Sequence, residues 1–139
     1  LLFGAMTYSV GIDIWAMACT FGELLLRRHL FRSGPSELEQ LRKIFSYLGT
    51  PTEEDWPFMS ALPKHVTFTS VKPHKWEEWF PSTPADARDL LRSMLVLNPN
   101  GRATAEDALK HPFFTNAPPP TPIDMLPLSP KAGGAGTPR

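Results

Sequence analysis

Apolar residues in the first stretch of the chain do not fall on one stripe. Between about Ser9 and Arg28, residues Ile12, Ile14, Trp15, Met17, Phe21, Leu24, Leu25 and Leu26 cover most of a helical circumference. A helix that is apolar all round is a central, buried one, so this pattern predicts other helices wrapped around it. Ser9 suits its N-cap, and Arg27 and Arg28 suit the negative end of its dipole. The second apolar pattern is amphipathic. Leu38, Leu41, Ile44, Phe45 and Leu48 recur at helical intervals, with Glu37, Gln40, Arg42 and Lys43 outward. Ser36 followed by Glu39 has the spacing of a capping box, and Gly49 reads as the C-cap.

From Thr50 to Ser82 the periodicity is lost. Pro51, Pro57, Pro63, Pro73 and Pro81 oppose long helices, while Trp56, Trp76, Trp79, Phe58, Phe68 and Phe80 demand burial. The segment reads as an ordered, irregular excursion packed on the helices, with a short helical turn at Thr52–Trp56. A third helix starts at Thr83 with Pro84 in its first position. Its inner face is Ala87, Leu90, Leu91, Met94 and Leu95, and it ends near Asn98-Pro99. A fourth, short helix starts at Thr104 and stops at His111-Pro112. The tail from Ala117 to Arg139 is rich in Pro, Gly and Ala and reads as flexible.

Composition narrows the classes. The 139 residues carry no net charge, which argues against a broad electrostatic footprint on nucleic acid or an anionic membrane. Asp13 and Glu23 interrupt the longest apolar stretch, Val10 to Leu26, and each is costly in a bilayer. The single cysteine, Cys19, precludes an intrachain disulfide and reads as an inert core residue. The first residue is Leu1, and a chain that begins mid-pattern without Met reads as a fragment.

Candidate chemistry is sparse. His29, His65, His74 and His111 show no metal-ligand spacing. Gly133-Gly134-Ala135-Gly136 lacks the strand, helix and Gly-Lys-Ser/Thr of a phosphate loop. Thr121-Pro122, Ser129-Pro130 and Thr137-Pro138 are minimal proline-directed phosphorylation sites of a kind that arises by chance in any proline-rich tail. Glu23 is the nearest thing to a catalytic acid, and the sequence offers it no partner. Asp13, inside the expected buried helix, has two readings: an acid favoured by the helix dipole, or an acceptor holding a neighbouring backbone loop. Arg102, in the loop Asn98-Pro99-Asn100-Gly101-Arg102, is either solvated or paired bidentately with a carboxylate. From the residues alone, this is an α-helical domain with no chemistry of its own.

A resemblance adds to that reading. Asp13-Ile14-Trp15-Ala16-Met17-Ala18-Cys19 followed by Glu23-Leu24 resembles the central C-lobe helix of eukaryotic Ser/Thr protein kinases. Leu97 to Ala105 resembles the family's later Leu-x-x-Asp-Pro-x-x-Arg motif, and His111-Pro112-Phe113-Phe114 its usual ending. Leu41 to Pro51 with Trp56-Pro57 is similar to the cyclin-dependent kinases. Leu24 to Arg27, Pro51 to Trp56 and the tail from Phe114 to Pro122 resemble their CDK-activating group. The chain departs from the pattern at Ala18, where Gly is usual, at Asn98, where Asp is usual, and over His29 to Pro35, which lacks a Pro-Phe pair.

The resemblance implies an all-α C-lobe, with residues 1–114 a partial kinase domain from after the Ala-Pro-Glu motif and 115–139 a flexible tail. It implies Asp13 as the anchor of the catalytic loop and Arg102 as the ion-pair partner of a Glu in the activation segment. That Glu is not in this sequence, so Arg102 is expected to be unpaired here. The Gly-rich ATP loop, the strand lysine and the catalytic and metal-binding acids would lie upstream of Leu1. The full-length enzyme would use ATP and Mg, pair with a cyclin H-like cyclin and act on protein substrates, without direct contact to nucleic acid or membrane, in the nucleus and/or cytoplasm. The helix at Ser36–Leu48 would help form a protein-docking face. The fragment alone would bind no cofactor and be inactive. The alternative is a non-catalytic truncated kinase acting as a protein-interaction module.

Overall fold

The computed structural model describes residues 2–3, 11–32 and 34–127. Five α-helices follow in chain order: α1 (Gly11–Leu26), α2 (Glu37–Leu48), α3 (Trp76–Trp79), α4 (Ala85–Met94) and α5 (Ala105–Leu109). Short 3-10 turns lie between α2 and α3, between α4 and α5 and after α5, and no strand occurs among the described residues. The all-α fold class stands. The expected cap Ser9 and the segment from Ser129 onward lie outside the described residues.

The core has two parts. The first joins α1 to α4 through Ala18, Leu30, Trp79, Phe80, Leu90, Leu91, Met94 and Leu95. All five apolar positions expected on the inner face of α4 are buried. Gly22 allows this approach, since a Cβ there would meet Leu30 Cδ2 at 3.1 Å and Phe80 at 3.6 Å. The second part gathers Leu41, Ile44 and Phe45 of α2 around Met59 and Phe3. Phe3 is its hub, within 6.5 Å of the rings of Phe45, Trp56, His65 and Phe68.

The long excursion is ordered because its polar backbone finds partners at the end of α2. Thr50 N–H donates to the Val71 carbonyl at 3.0 Å, and His74 N–H to the Tyr47 carbonyl at 2.9 Å. The expected turn at Thr52–Trp56 closes, with Trp56 N–H donating to the Thr52 carbonyl at 2.9 Å. Farther on, Trp76–Trp79 forms one helical turn (α3) that the proline pattern concealed. Its tryptophans, with Phe80, Tyr47 and Phe31, make a continuous ring-to-ring cluster.

Caps set the helix ends. Gly49, at a positive φ of 86° that favours glycine, ends α2 and donates to the Phe45 carbonyl. Thr104 opens α5 with a capping box completed by Asp107, whose carboxyl these bonds hold below the usual range. The capping box expected at Ser36 does not form. Ser36 occupies the N-cap position without a side-chain bond, and the Glu39 carboxylate lies over Gly34 instead. Pro84 is the N-cap of α4 rather than its first residue.

The largest departure concerns α1. Only Ala18 and Gly22 of this helix are fully buried. Asp13, Met17, Thr20 and Leu24 form an exposed stripe at helical spacing, with Met17 at 61% and Leu24 at 72% exposure. The expectation of a buried Asp13 in an enclosed helix is therefore corrected. The reason is geometric. α4, Phe113 and the aromatic cluster pack on one side of α1, and no described element reaches the other. No helix among the described residues is long and apolar enough to cross a membrane.

Candidate functional site

Arg102 arrives at the first turn of α1 on a short, well-fixed loop. The 3-10 turn Pro99–Gly101 precedes it, capped by Asn98. Asn98 uses both ends of its amide: Oδ1 accepts from Asn100 N–H at 3.0 Å, and Nδ2 donates to the Asp55 carbonyl at 3.2 Å. An ionised Asp, the residue usual here in the family it resembles, could make only the first of these bonds. Beyond Arg102, Ala103 N–H donates to the Ser93 carbonyl of α4 at 3.0 Å.

The guanidinium is half-buried and donates to backbone carbonyls. Nε and Nη2 reach the Val96 carbonyl at 3.0 and 2.8 Å, and Nη1 donates to the Gly11 carbonyl. Its plane lies over the Trp15 ring, 4.9 Å from the centroid. Neither reading of Arg102 from its loop holds. It is not simply solvated, and among the described residues no carboxylate pairs with it. As for the ion pair, it is unpaired; as a donor, it is engaged. Burial lowers its pKa from the ordinary guanidinium value, but an arginine stays charged.

Asp13 is not brought to Arg102. Two residues along a helix are about 200° apart in rotation, so Asp13 and Trp15 face opposite ways. α1 thus presents two chemically distinct edges. One holds Arg102 through Gly11 and Trp15; the other carries Asp13 on the exposed stripe.

Sequence reasoning overlooked Trp15 as the platform for Arg102. Its signal was the spacing Trp15, Cys19, Glu23, one residue per turn on a single edge. Glu23 also gains partners the sequence did not offer. Its Oε1 accepts from Leu30 N–H at 3.1 Å and lies 3.5 Å from His29 Nδ1, which makes it the tie of the turn after α1 rather than a catalytic acid.

Cys19 is partly buried, and its thiol is pushed up to about 11, by burial first and then by the Glu23 carboxylate, with Arg102 opposing. A thiol held protonated is a poor nucleophile, as its reading as an inert core residue anticipated. The linkage sign follows. Above the unfolded thiol's pKa near 9.0 the unfolded chain loses a proton that the folded chain keeps, so stability falls as pH rises from there toward 11. Cys19→Ser is expected to flatten this fall, read as the urea midpoint measured across that pH range. An unchanged slope would show that the thiol does not carry it.

Among the described residues no group of three or more His, Cys, Asp or Glu could hold a metal ion. The glycine run at 133–136 lies outside the described residues.

The site thus consists of Arg102, which ties the first turn of α1 to the loop before α5, and Asp13, which stands exposed on the same helix. The protein kinase domain family matches residues 1–114, and the chain belongs to that family. More particularly, it is 47% identical over 127 residues to cyclin-dependent kinase 7 of Xenopus laevis, covering 91% of this chain and 36% of that protein. It is 43% identical over 128 residues to a probable serine/threonine-protein kinase KIN28 homolog of Encephalitozoon cuniculi, covering 92% of this chain and 41% of the relative. Cyclin-dependent kinase D-1 of Oryza sativa subsp. indica is 43% identical over 136 residues, covering 98% and 32%. These relatives are named as cyclin-dependent or serine/threonine-protein kinases. The chain spans between about a third and two fifths of the length of these curated relatives.

Proposed function

We propose that this chain is the C-lobe portion of a cyclin-dependent Ser/Thr kinase that moves the γ-phosphoryl group of Mg·ATP onto protein Ser or Thr. Its substrates are the activation loops of other cyclin-dependent kinases and the C-terminal repeat of RNA polymerase II. Its partner is a cyclin H-like protein, and it works in the nucleus and/or cytoplasm. The kinase unit is residues 1–114, with 115–139 as its tail. Within the enzyme this part is a scaffold: Asp13 accepts hydrogen bonds from the catalytic-loop backbone, and Arg102 ties down the end of the activation segment.

The observation that supports this reading is the exposed stripe of α1. Met17 and Leu24 face outward beside Asp13 on a helix whose other side is core. Large apolar side chains flanking one carboxylate suit a protein surface that is covered in the complete enzyme. In such a dry contact a carboxylate that receives backbone N–H donors holds a loop in register.

The test uses the full-length product of the parent transcript. It is expected to phosphorylate an activation-loop threonine peptide, and Asp13→Asn is expected to lower kcat about 100-fold, the scale of a small misplacement of catalytic groups. The same substitution should leave the unfolding midpoint of the 139-residue chain unchanged, because Asp13 is exposed there. Wild-type kcat in the Asn variant would overturn the anchoring role. Saturable nucleotide binding by the chain alone would overturn its scaffold character.

A further inference from the structure

At the C-terminal end of α1, where Thr20, Glu23 and Leu24 reach its rim, the turn that leaves this helix builds a cationic cleft. Arg27, Arg28, His29 and Arg32 line an open cleft of about 880 Å³ together with Lys43 and Tyr47 of α2. Glu23 is the one carboxylate in the lining, and it is already engaged by Leu30 N–H and His29. Among the described residues, none of Arg27, Arg28, Arg32 or Lys43 has an ion pair. On a chain with no net charge, this is a local concentration of unneutralised positive charge.

The turn is held rigidly enough to make a site. Arg27 leaves α1 in a left-handed conformation, φ 53°. Three residues later Leu30 plunges into the core beside Gly22, 1% exposed. Phe31 then stacks on Trp15 at 5.9 Å, and its carbonyl accepts from Gln40 Nε2 of α2 at 3.3 Å. Arg28 and His29 are therefore exposed on a backbone pinned at both ends, and Arg32 follows directly. Lys43 lies 5.1 Å over the Tyr47 ring on the opposite wall. Fixing the backbone in advance lowers the ordering cost of binding.

We propose that this cleft binds a phosphorylated Ser or Thr side chain in a segment of a protein partner. Three guanidinium forks and an ammonium suit a phosphate dianion, whose oxygens accept several bonds at once, better than a single carboxylate. The Tyr47 ring offers apolar contact to residues flanking the phosphate, which a free ion does not use. The charge is confined to one cleft rather than spread along a face, which suits one compact anion more than a nucleic-acid backbone. Three of the ten lining residues, His29, Leu30 and Arg32, belong to the stretch from His29 to Pro35 that departs from the kinase pattern. The inference does not depend on the catalytic reading above.

The test is fluorescence anisotropy with the full chain. The probes are a library of short peptides with a fixed central phosphoserine or phosphothreonine and degenerate flanks, and the same library unphosphorylated. The phosphorylated library is expected to bind at least tenfold more tightly, and the difference should shrink with added salt. Arg28→Glu with Arg32→Glu is expected to abolish the preference. Arg28→Gln with Arg32→Gln, a milder pair at the same exposed positions, should reduce it at least threefold, with circular dichroism unchanged in both. Equal binding of the two libraries, an undiminished preference in the charge-reversed variant, or capture by phosphatidylserine vesicles without phosphopeptide binding would each overturn the proposal.

Discussion

Phe80→Ala is expected to cost about 3–5 kcal/mol of folding stability, the range for emptying an aromatic site in a packed core. Phe80 is fully buried. Its ring lies against Trp76 at 5.9 Å and Trp79 at 4.9 Å, and its edge reaches Gly22 of α1. One side chain thus joins the irregular excursion, α1 and, through its neighbours in the same cluster, α4. The vacated volume cannot close easily, because the rings around it are held by their own stacking and by the backbone bonds that tie the excursion to α2. A domain of this kind has only about 5–15 kcal/mol of stability in total, so the variant sits near its unfolding threshold. Urea unfolding followed by tryptophan fluorescence measures the loss. Phe58→Ala is the control: that ring is 81% exposed, and its removal is expected to change stability by no more than about 0.5 kcal/mol. Equal midpoints for the two variants would show that the α1–excursion contact is not where the stability resides.

The contrast between these phenylalanines marks where the sequence was legible. Periodicity located α2 and the buried face of α4 because each of those helices presents one apolar side to elements within the same chain. Thr104 and Gly49 were readable for a local reason, since a cap is decided by residues within one turn of it. The excursion gave up less. Its aromatic content announced burial, but proline positions say only where a long helix cannot run, so α3 went unread, and nothing local separates Phe80 in the core from Phe58 on the surface.

α1 shows the opposite error. Its apolar circumference is real, yet burial is a property of what surrounds a helix, and the described residues surround only one side. The mismatch carries information. Asp13, Met17 and Leu24 obey the rule for an enclosed helix while standing exposed, which is the pattern of a surface made to be covered. The family resemblance implied roles for Asp13 and Arg102. It did not supply the surroundings of Arg102, because a guanidinium's partners are fixed by which backbone carbonyls converge on it, and that depends on contacts ninety residues apart in sequence.

Arg102→Ala is expected to destabilise the chain by about 1.5–3 kcal/mol, the range for losing hydrogen bonds to a charged group. The guanidinium closes α1 against the loop before α5: one arm is on Gly11, another on Val96, and its face is on Trp15. Truncation leaves the Val96 and Gly11 carbonyls without this donor and uncovers the indole. Arg102→Lys separates geometry from charge. An ammonium is a point donor on a flexible stem and cannot span both carbonyls while lying flat on the ring. Lysine is therefore expected to recover less than half of the loss, read as the urea midpoint at constant pH. If charge alone mattered, Lys and Arg would be equivalent, and that result would reject the planar fork as the cause. Trp15→Leu supplies the second side of a double-mutant cycle. A coupling energy of about 0.5–1 kcal/mol with Arg102→Ala is expected from the cation–π contact, and additive effects would show that the ring and the guanidinium act independently.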